Sequence, residues 1–202
     1  MSNDHVPPGS PPHEKGRMHA LLAFLQSAER LKDTLRSGRT AMGRPESTAE
    51  HTWRLCLLAM LLERDLPGVD HHRLLKICML HDLGEAISGD VPAPAQGADD
   101  GRHARERDGF EELCSELPRD LHEEFLELYD DYTQGRSIEA QFAKGLDKLE
   151  TMLQHVAGKN TPGFDYAFNL GYGIEATSRH PLLVRLRRIV DEETRISMTG
   201  PT

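Results

Sequence analysis

Apolar residues recur at intervals of three and four along most of this chain, which is the spacing of the buried face of an amphipathic α-helix. The spacing predicts a first helix from about Met18 to Leu35 and a second from Ser47 to about Glu63. Ser47 followed by Glu50 is a capping-box pattern, so the second helix should begin there. Its predicted apolar stripe comprises Leu55, Leu58, Ala59 and Leu62, widened by Trp53, Leu57 and Leu61.

Glycine and proline separate the remaining helical segments. Residues 36–47 combine glycines, a proline and arginines and are predicted to form a loop. Further helices are predicted over residues 72–81, 104–117, 118–132, 137–156, 164–176 and from 181 onward, with a short helix and turn at 84–92 and a mobile loop at 91–101. No segment sustains the two-residue alternation of a half-buried strand, and no internal repeat is visible. The sequence therefore predicts an all-α fold.

A chain of 202 residues is long enough to bury one sizeable core. The first 16 residues contain four prolines among polar side chains, so burial cannot offset the entropy cost of ordering them. We therefore expect a disordered tail over residues 1–16 and a single domain over residues 17–197.

Charge and cysteine content limit the possible partners. Acidic residues outnumber basic ones by 33 to 24, a formal net charge of −9, and such a surface repels a nucleic-acid backbone. No apolar run approaches the ~18 residues that would span a bilayer, so no membrane partner is expected. Cys56, Cys78 and Cys114 lie far apart in apolar segments, which is typical of buried free thiols in a reducing compartment. We expect a soluble, cytoplasmic protein.

The densest cluster of ionisable residues follows the apolar run that ends at Leu80. His81 and Asp82 are adjacent, Glu85 follows, and Asp90 comes shortly before a proline. Because unpaired charge is costly to bury, these groups should hold one another or hold an ion. The simpler alternative is a satisfied histidine beside a helix-capping aspartate, since the dipeptide alone often occurs by accident.

Two more residues are considered as partners of this cluster. His51 lies near the start of the second helix and is a candidate ligand. Asp147 lies about 145° from the apolar stripe of its helix, so periodicity alone leaves its role undecided. Imidazole and carboxylate ligands together suit a first-row transition ion such as manganese, iron, cobalt, nickel or zinc, with positions left for water and substrate.

Four segments strongly resemble the HD-domain phosphohydrolases, and among these the 5′-deoxynucleotidase branch, which removes phosphate from deoxynucleoside monophosphates. The segments are residues 44–47 (RPES), 49–54 (AEHTWR), 81–90 (HDLGEAISGD) and 142–149 (FAKGLDKL). They occur in the order of the family, and the resemblance extends from about Leu22 to Ile189. It implies a single-domain helical bundle that forms a homodimer.

By matching position, the resemblance also implies a role for each residue of the site. One divalent transition ion, typically cobalt or manganese, would be held by His51, His81, Asp82 and Asp147. Glu85 would orient or deprotonate the attacking water, and Asp90 would lie near the leaving oxygen. These roles agree with the chemistry of phosphate hydrolysis, because a metal acidifies water and neutralises phosphoryl oxygens while two carboxylates divide the base and acid roles.

The loop before His51 departs from the family pattern. Family members usually carry an aromatic residue beside an arginine there, both contacting the nucleotide, whereas residues 37–43 contain no aromatic residue. Arg39 or Arg44 is the expected phosphate-binding residue, because a guanidinium group suits phosphate well; the alternative for each is a solvated loop charge. Two lysines one turn apart on the long helix, Lys144 and Lys148, are expected to be exposed.

We therefore expect a metal-dependent phosphohydrolase acting on a small phosphorylated molecule, with deoxynucleoside 5′-monophosphates as the first choice. Alternatives among HD-domain enzymes are hydrolysis of a nucleoside triphosphate, an alarmone or a phosphate that is not a nucleotide. An alternative of another class is a binding or regulatory module without turnover. The presence of Glu85 and Asp90 beside a full ligand set argues against that module.

Overall fold

Helices account for most of the computed structural model, which describes residues 12–93 and 101–199. The α-helices are α1 (Pro12–Ala28), α2 (Thr48–Leu61), α3 (His71–Leu80), α4 (Glu85–Ser88), α5 (Arg102–Cys114), α6 (Arg119–Gln134), α7 (Ile138–Ala157), α8 (Ala167–Gly171), α9 (Ile174–Thr177) and α10 (Pro181–Thr199). Two 3₁₀ turns span Glu29–Lys32 and Glu63–Asp65, and two short strands are β1 (Leu35–Arg39) and β2 (Pro45–Ser47). The predicted all-α fold class is confirmed.

Helix α7 passes through the centre of the molecule and packs against α2, α3, α6, α9, α10 and β1. It is buried on almost every side, and its small residues allow other helices to approach closely. At Gly145, for example, an added Cβ would lie 2.5 Å from Leu183 Cδ1 of α10. Because α7 is enclosed on most sides, it carries Asp147 and Glu150 directly into the core.

Helix α2 begins as predicted but buries a narrower face. Ser47 Oγ accepts a hydrogen bond from Glu50 N at 3.3 Å, and the Glu50 carboxylate accepts one from Ser47 N at 2.9 Å, so the capping box is confirmed. Leu55 and Ala59 are buried. The three residues predicted to widen the stripe are instead 63%, 41% and 73% exposed, namely Trp53, Leu57 and Leu61. That prediction was wrong because the described elements pack on the other faces of α2.

The segment predicted as a loop before α2 contains an antiparallel hairpin, formed by β1 and β2. Arg39 pairs with Pro45, and the register is irregular towards Leu35. The hairpin rests on α7, where Gln154 Nε2 donates a hydrogen bond to Arg39 O at 2.6 Å. Strands of five and three residues are too short to produce a visible alternation, so the pattern missed them.

Several predicted boundaries move in the structure. Helix α1 begins at Pro12, so residues 12–16 of the predicted tail are helical, while residues 1–11 lie outside the described residues. The helix predicted over residues 164–176 is replaced by α8 and α9, with Gly173 between them at a φ of 64°, a value that glycine adopts most readily. Of the loop predicted at 91–101, residues 94–100 lie outside the described residues.

The three cysteines are buried and form no disulfide, as predicted. Within residues 12–93 and 101–199, no helix has the length and apolar character needed to cross a membrane.

The contact between α4 and α5 generates a first prediction. An added Cβ on Gly84 would lie 2.3 Å from the backbone oxygen of Glu106 in α5. Gly84→Ala should therefore force the two helices apart and lower the free energy of unfolding by about 1–3 kcal/mol, the usual cost of overpacking. Gly16→Ala is the matched control, because an added Cβ there meets nothing within 4 Å and the change favours helix. Urea unfolding of both variants measures the difference, and an unchanged midpoint for Gly84→Ala would show that the α4–α5 contact is not tight.

Candidate active site

Two buried histidines each have one ring nitrogen held by a partner and the other without one. His81 Nδ1 lies 2.8 Å from the backbone oxygen of Cys78, and His51 Nδ1 contacts the carboxylate of Glu150. The Nε2 atom of each ring is buried and forms no hydrogen bond. A partner at Nδ1 fixes the tautomer in which Nε2 carries a bare lone pair, which is the state in which histidine binds metals.

Two aspartates complete the group around these nitrogens. Asp147 Oδ1 lies 3.2 Å from His51 Nε2 and 3.9 Å from His81 Nε2. Asp82 Oδ2 lies 3.0 Å from His81 Nε2 and 3.7 Å from His51 Nε2. Donor atoms of His51, His81 and Asp147 all lie within 4.8 Å of one another, which is close enough to share one ion. The structure thus brings the four residues of the expected ligand set together.

The electrostatics of this group favour a bound cation. Burial and the charge of Arg36 lower the pKa of His51, but the adjacent carboxylates of Asp147 and Glu150 outweigh them and raise it to about 9. Burial alone would raise the pKa of Asp147, whereas the neighbouring Lys148 and histidines hold it well below its usual range. The carboxylates therefore favour positive charge at the imidazole, which either a proton or a divalent cation at Nε2 would supply.

Asp147 is oriented by groups on its second carboxylate oxygen. Tyr132 Oη of α6 donates a hydrogen bond to Asp147 Oδ2 at 3.0 Å, and Lys148 Nζ donates one at 2.8 Å. This leaves Oδ1 directed at the histidines. The expectation that both lysines are exposed was wrong: Lys148 is half-buried against Asp147, and Lys144 is half-buried with its Nζ donating to Thr133 O at 3.0 Å.

Glu85 and Asp90 lie beside this group. Glu85 begins α4 and is buried, and its carboxylate accepts a hydrogen bond from Thr48 Oγ1 at 3.0 Å. Burial, followed by the charges of Asp82 and Asp90, raises the pKa of Glu85 to about 10. Burial also raises the pKa of Asp90. Several carboxyl groups thus share one site with too little positive charge, which a cation would supply.

The two loop arginines expected to bind phosphate point elsewhere. Arg39 Nη1 donates to the backbone oxygen of Gly43 at 2.7 Å, and Arg44 forms an exposed ion pair with Glu50. Neither lines the cavity next to the histidines. Arg36 does so instead, with Nη1 3.1 Å from Asp82 Oδ2. Its other nitrogen, Nη2, lies 3.2 Å from Thr151 Oγ1.

The cavity above these residues has a volume of about 790 Å³, which suits a small molecule. Its acidic part contains His81, Asp82, Glu85, Asp90 and Asp147, while His51 is fully buried and does not line it. Basic residues on its wall include Arg36, Lys144, Lys148 and Arg179, and aromatic residues include Tyr132, Phe164, Phe168 and Tyr172. The arrangement offers opposite charges and flat apolar surfaces within one space.

Comparison with known sequences gives one consistent picture. A family model described as HD domain matches residues 28–184. The chain is 36% identical over 138 residues to 5'-deoxynucleotidase HDDC2 of Homo sapiens, covering 67% of this chain and 66% of that protein, just under two thirds of its length. It is 33% identical over 185 residues to 5'-deoxynucleotidase HDDC2 of Mus musculus, covering 88% of this chain and 90% of that protein.

Solved structures support the same fold. A predicted metal-dependent phosphohydrolase from Magnetospirillum magnetotacticum superposes with a TM-score of 0.79 at 25% identity, covering 94% of this chain and 99% of that chain. The cyanophage S-2L HD phosphohydrolase DatZ, solved with dA and one catalytic Zn²⁺ ion, has a TM-score of 0.55 at 18% identity. The match covers 85% of this chain and 94% of that one, and it shows a shared fold.

The contact between Glu150 and His51 generates a second prediction. Glu150→Gln should weaken the affinity for a divalent ion by about 10–100-fold, because a carboxylate at Nδ1 orients the ring and makes Nε2 more basic. Glu139→Gln is the matched control, since Glu139 is a buried carboxylate on the same helix that accepts from Asp70 N, away from the histidines. Calorimetric titration of chelator-treated protein with Mn²⁺ or Co²⁺ measures the affinities. Equal affinities in both variants would reduce Glu150 to a structural role.

Proposed function

We propose that this chain, which belongs to the HD-domain family and is a phosphohydrolase, removes phosphate from deoxynucleoside 5′-monophosphates. The observation that carries the proposal is the pair of bare, buried imidazole nitrogens closed by two aspartates, with Glu85 and Asp90 on the same cavity. The substrate class is supported by the names of the curated relatives, which are 5'-deoxynucleotidases. The predicted homodimer, domain limits and cytoplasmic location stay predictions.

Four residues would hold the metal ion, namely His51, His81, Asp82 and Asp147. Two imidazoles and two carboxylates suit a divalent first-row transition ion, and we propose cobalt, manganese or a similar ion such as iron, nickel or zinc. Such an ion, when bound, supplies Lewis acidity that neutralises phosphoryl charge and acidifies water. The residues present fit it, because the two Nε2 atoms have no other partner and the carboxylates lie at the same point.

Glu85 and Asp90 divide the proton transfers of the hydrolysis. Water attacks phosphorus, the bond between phosphorus and the 5′-oxygen breaks, and the products are inorganic phosphate and a deoxynucleoside. Glu85 accepts a proton from the attacking water, and Asp90 supplies one to the departing 5′-oxygen. The raised pKa of Asp90 suits a donor. Glu85 acts as a base only when positive charge balances the neighbouring carboxylates that raise its pKa.

Arg36 binds the phosphate group in this proposal, in place of Arg39 or Arg44. Its guanidinium group lies next to Asp82 on the wall of the cavity, where it can offer hydrogen-bond donors to phosphoryl oxygens. Lys148 adds a second positive charge next to Asp147, because its Nζ donates a hydrogen bond to Asp147 Oδ2 at 2.8 Å.

The role of Arg36 generates a third prediction. Arg36→Ala should lower kcat/KM for a deoxynucleoside monophosphate by about 10–100-fold, the worth of a hydrogen bond to a charged group. Arg39→Ala is the matched control from the same strand and should stay within about twofold of the wild type. Steady-state kinetics with metal content measured in each variant checks this. If Arg39→Ala shows the larger loss, the phosphate-binding arginine is misassigned.

The proposal that this chain is an enzyme is tested through Glu85. Glu85→Gln keeps the size of the side chain and removes the base, so kcat should fall by about 10²–10⁴-fold while the metal still binds. The measurement is phosphate release from several deoxynucleoside monophosphates, with Mn²⁺ and Co²⁺ supplied in turn and metal content determined. Asp147→Ala is the companion variant and should lose both the ion and turnover. No phosphate release by the metal-loaded wild type from any phosphorylated compound would contradict the proposed function.

A further inference from the structure

An aromatic pair lies on the wall of the cavity that also holds the acidic residues. Phe168 belongs to α8 and Tyr172 follows that helix directly, and both side chains are half-buried and line the cavity. Their ring centres are 5.4 Å apart and the planes are inclined by 31°. Two neighbouring rings of this kind give the cavity an apolar surface beside its acidic part.

A short series of contacts connects this pair to the proposed ligand group. Lys148 Nζ lies 2.8 Å from Asp147 Oδ2 and 5.3 Å from the centre of the Tyr172 ring. The ring of Phe168 comes next to that of Tyr172. The aromatic pair is therefore separated from the phosphate-cleaving end of the cavity by one lysine side chain. In a nucleoside monophosphate, phosphate and base are likewise separated by a single sugar ring.

The backbone that carries the pair is held in place by a buried arginine. Arg187 of α10 is 8% exposed, and its guanidinium group donates to the backbone oxygens of Asn169 and Leu170 at 2.9 Å each and of Tyr172 at 2.6 Å. The side chain of Asn169 is fixed in turn, because its Oδ1 lies 2.8 Å from His155 Nδ1. A short helix tied down at several carbonyl groups presents its rings in one orientation, which lowers the entropy cost of binding a flat ligand.

We propose that Phe168 and Tyr172 form the surface against which the nucleobase of the substrate packs. The proposal rests on the proposed function and adds to it a reason for preferring a nucleotide over other phosphate monoesters. Every nucleobase has a flat π-face, so packing on aromatic rings favours a base without selecting one base over another. The subsite therefore predicts a preference for base-bearing monophosphates and a broad tolerance for the identity of the base.

Removal of the base from the substrate separates this subsite from the phosphate site. The wild type should hydrolyse deoxyadenosine 5′-monophosphate with a kcat/KM at least about tenfold above that of 2-deoxyribose 5-phosphate, which has the same sugar and phosphate. Phe168→Leu should lower kcat/KM for the nucleotide by about tenfold and leave that for the sugar phosphate within about twofold. Phe168→Tyr keeps the ring and should retain the preference of the wild type.

Tyr166→Leu is the matched control. Tyr166 lies two residues before Phe168 on the same segment and contacts Phe164, but it does not line the cavity. Its replacement should change the rate constants for both substrates little and to the same extent. Equal losses on both substrates in Phe168→Leu, or no loss on either, would overturn the proposal.

Calorimetric binding of the nucleotide to the metal-free protein gives a second measurement that does not depend on turnover. Phe168→Leu should bind the nucleotide about tenfold more weakly than Phe168→Tyr does, and equal affinities would overturn the subsite. The two proposals fail in different ways. If the wild type hydrolyses both compounds equally well, the proposed function holds and the base subsite is contradicted. If the wild type binds the nucleotide through Phe168 but cleaves neither compound, the proposed function is contradicted.

Discussion

The burial of charge around His51 is the constraint on which the packing of the helices depends. His51, Asp147 and Glu150 are all buried in the core, where a charge without a partner costs several kcal/mol. Their partners come from separate elements: Tyr132 of α6 for Asp147, and Arg54 of α2, whose Nε lies 3.2 Å from Glu150 Oε1. Removing one partner would leave a buried charge uncompensated. The helices around α7 therefore have to hold a charge network as well as an apolar core.

That constraint also explains which parts of the molecule the sequence could predict. Most helices were predicted because each has one buried face, and a single buried face produces a period of 3.6 residues. Helix α7 is enclosed on most sides, and even its polar residues Lys144 and Lys148 are half-buried, so position on the helix could not distinguish a buried carboxylate from an exposed one. The cost of burying this carboxylate is offset by its contacts with Tyr132 and the histidines, which come from other parts of the chain. Family resemblance pointed to Asp147, whereas periodicity could not.

The arginine proposed to bind phosphate shows a second limit of the sequence-based prediction, because the structure favours Arg36 over Arg39, three residues later in the chain. Read as a loop, residues 36–47 offered several equivalent arginines, and resemblance favoured the later ones. In a strand, alternate residues face opposite sides, and the hairpin places Arg36 towards Asp82 while Arg39 turns back to Gly43. The strands are defined by pairing with each other and by contact with α7, which is distant in sequence. Local pattern could not show which side of the segment would face the cavity.

The overall charge of the chain and the closed shape of the cavity both favour a small substrate over a polymer. A net charge of −9 repels a polyanion, which must approach along an extended surface. A small monophosphate would instead enter a cavity of about 790 Å³, whose wall includes Arg36, Lys144 and Lys148. Because exposed charges are screened within roughly 10 Å at ordinary salt, the distant surface charge matters little once the phosphate is inside, and a divalent cation at the carboxylates would offset their repulsion. The net charge would thus disfavour a polyanion, while the cavity would still admit a small monophosphate.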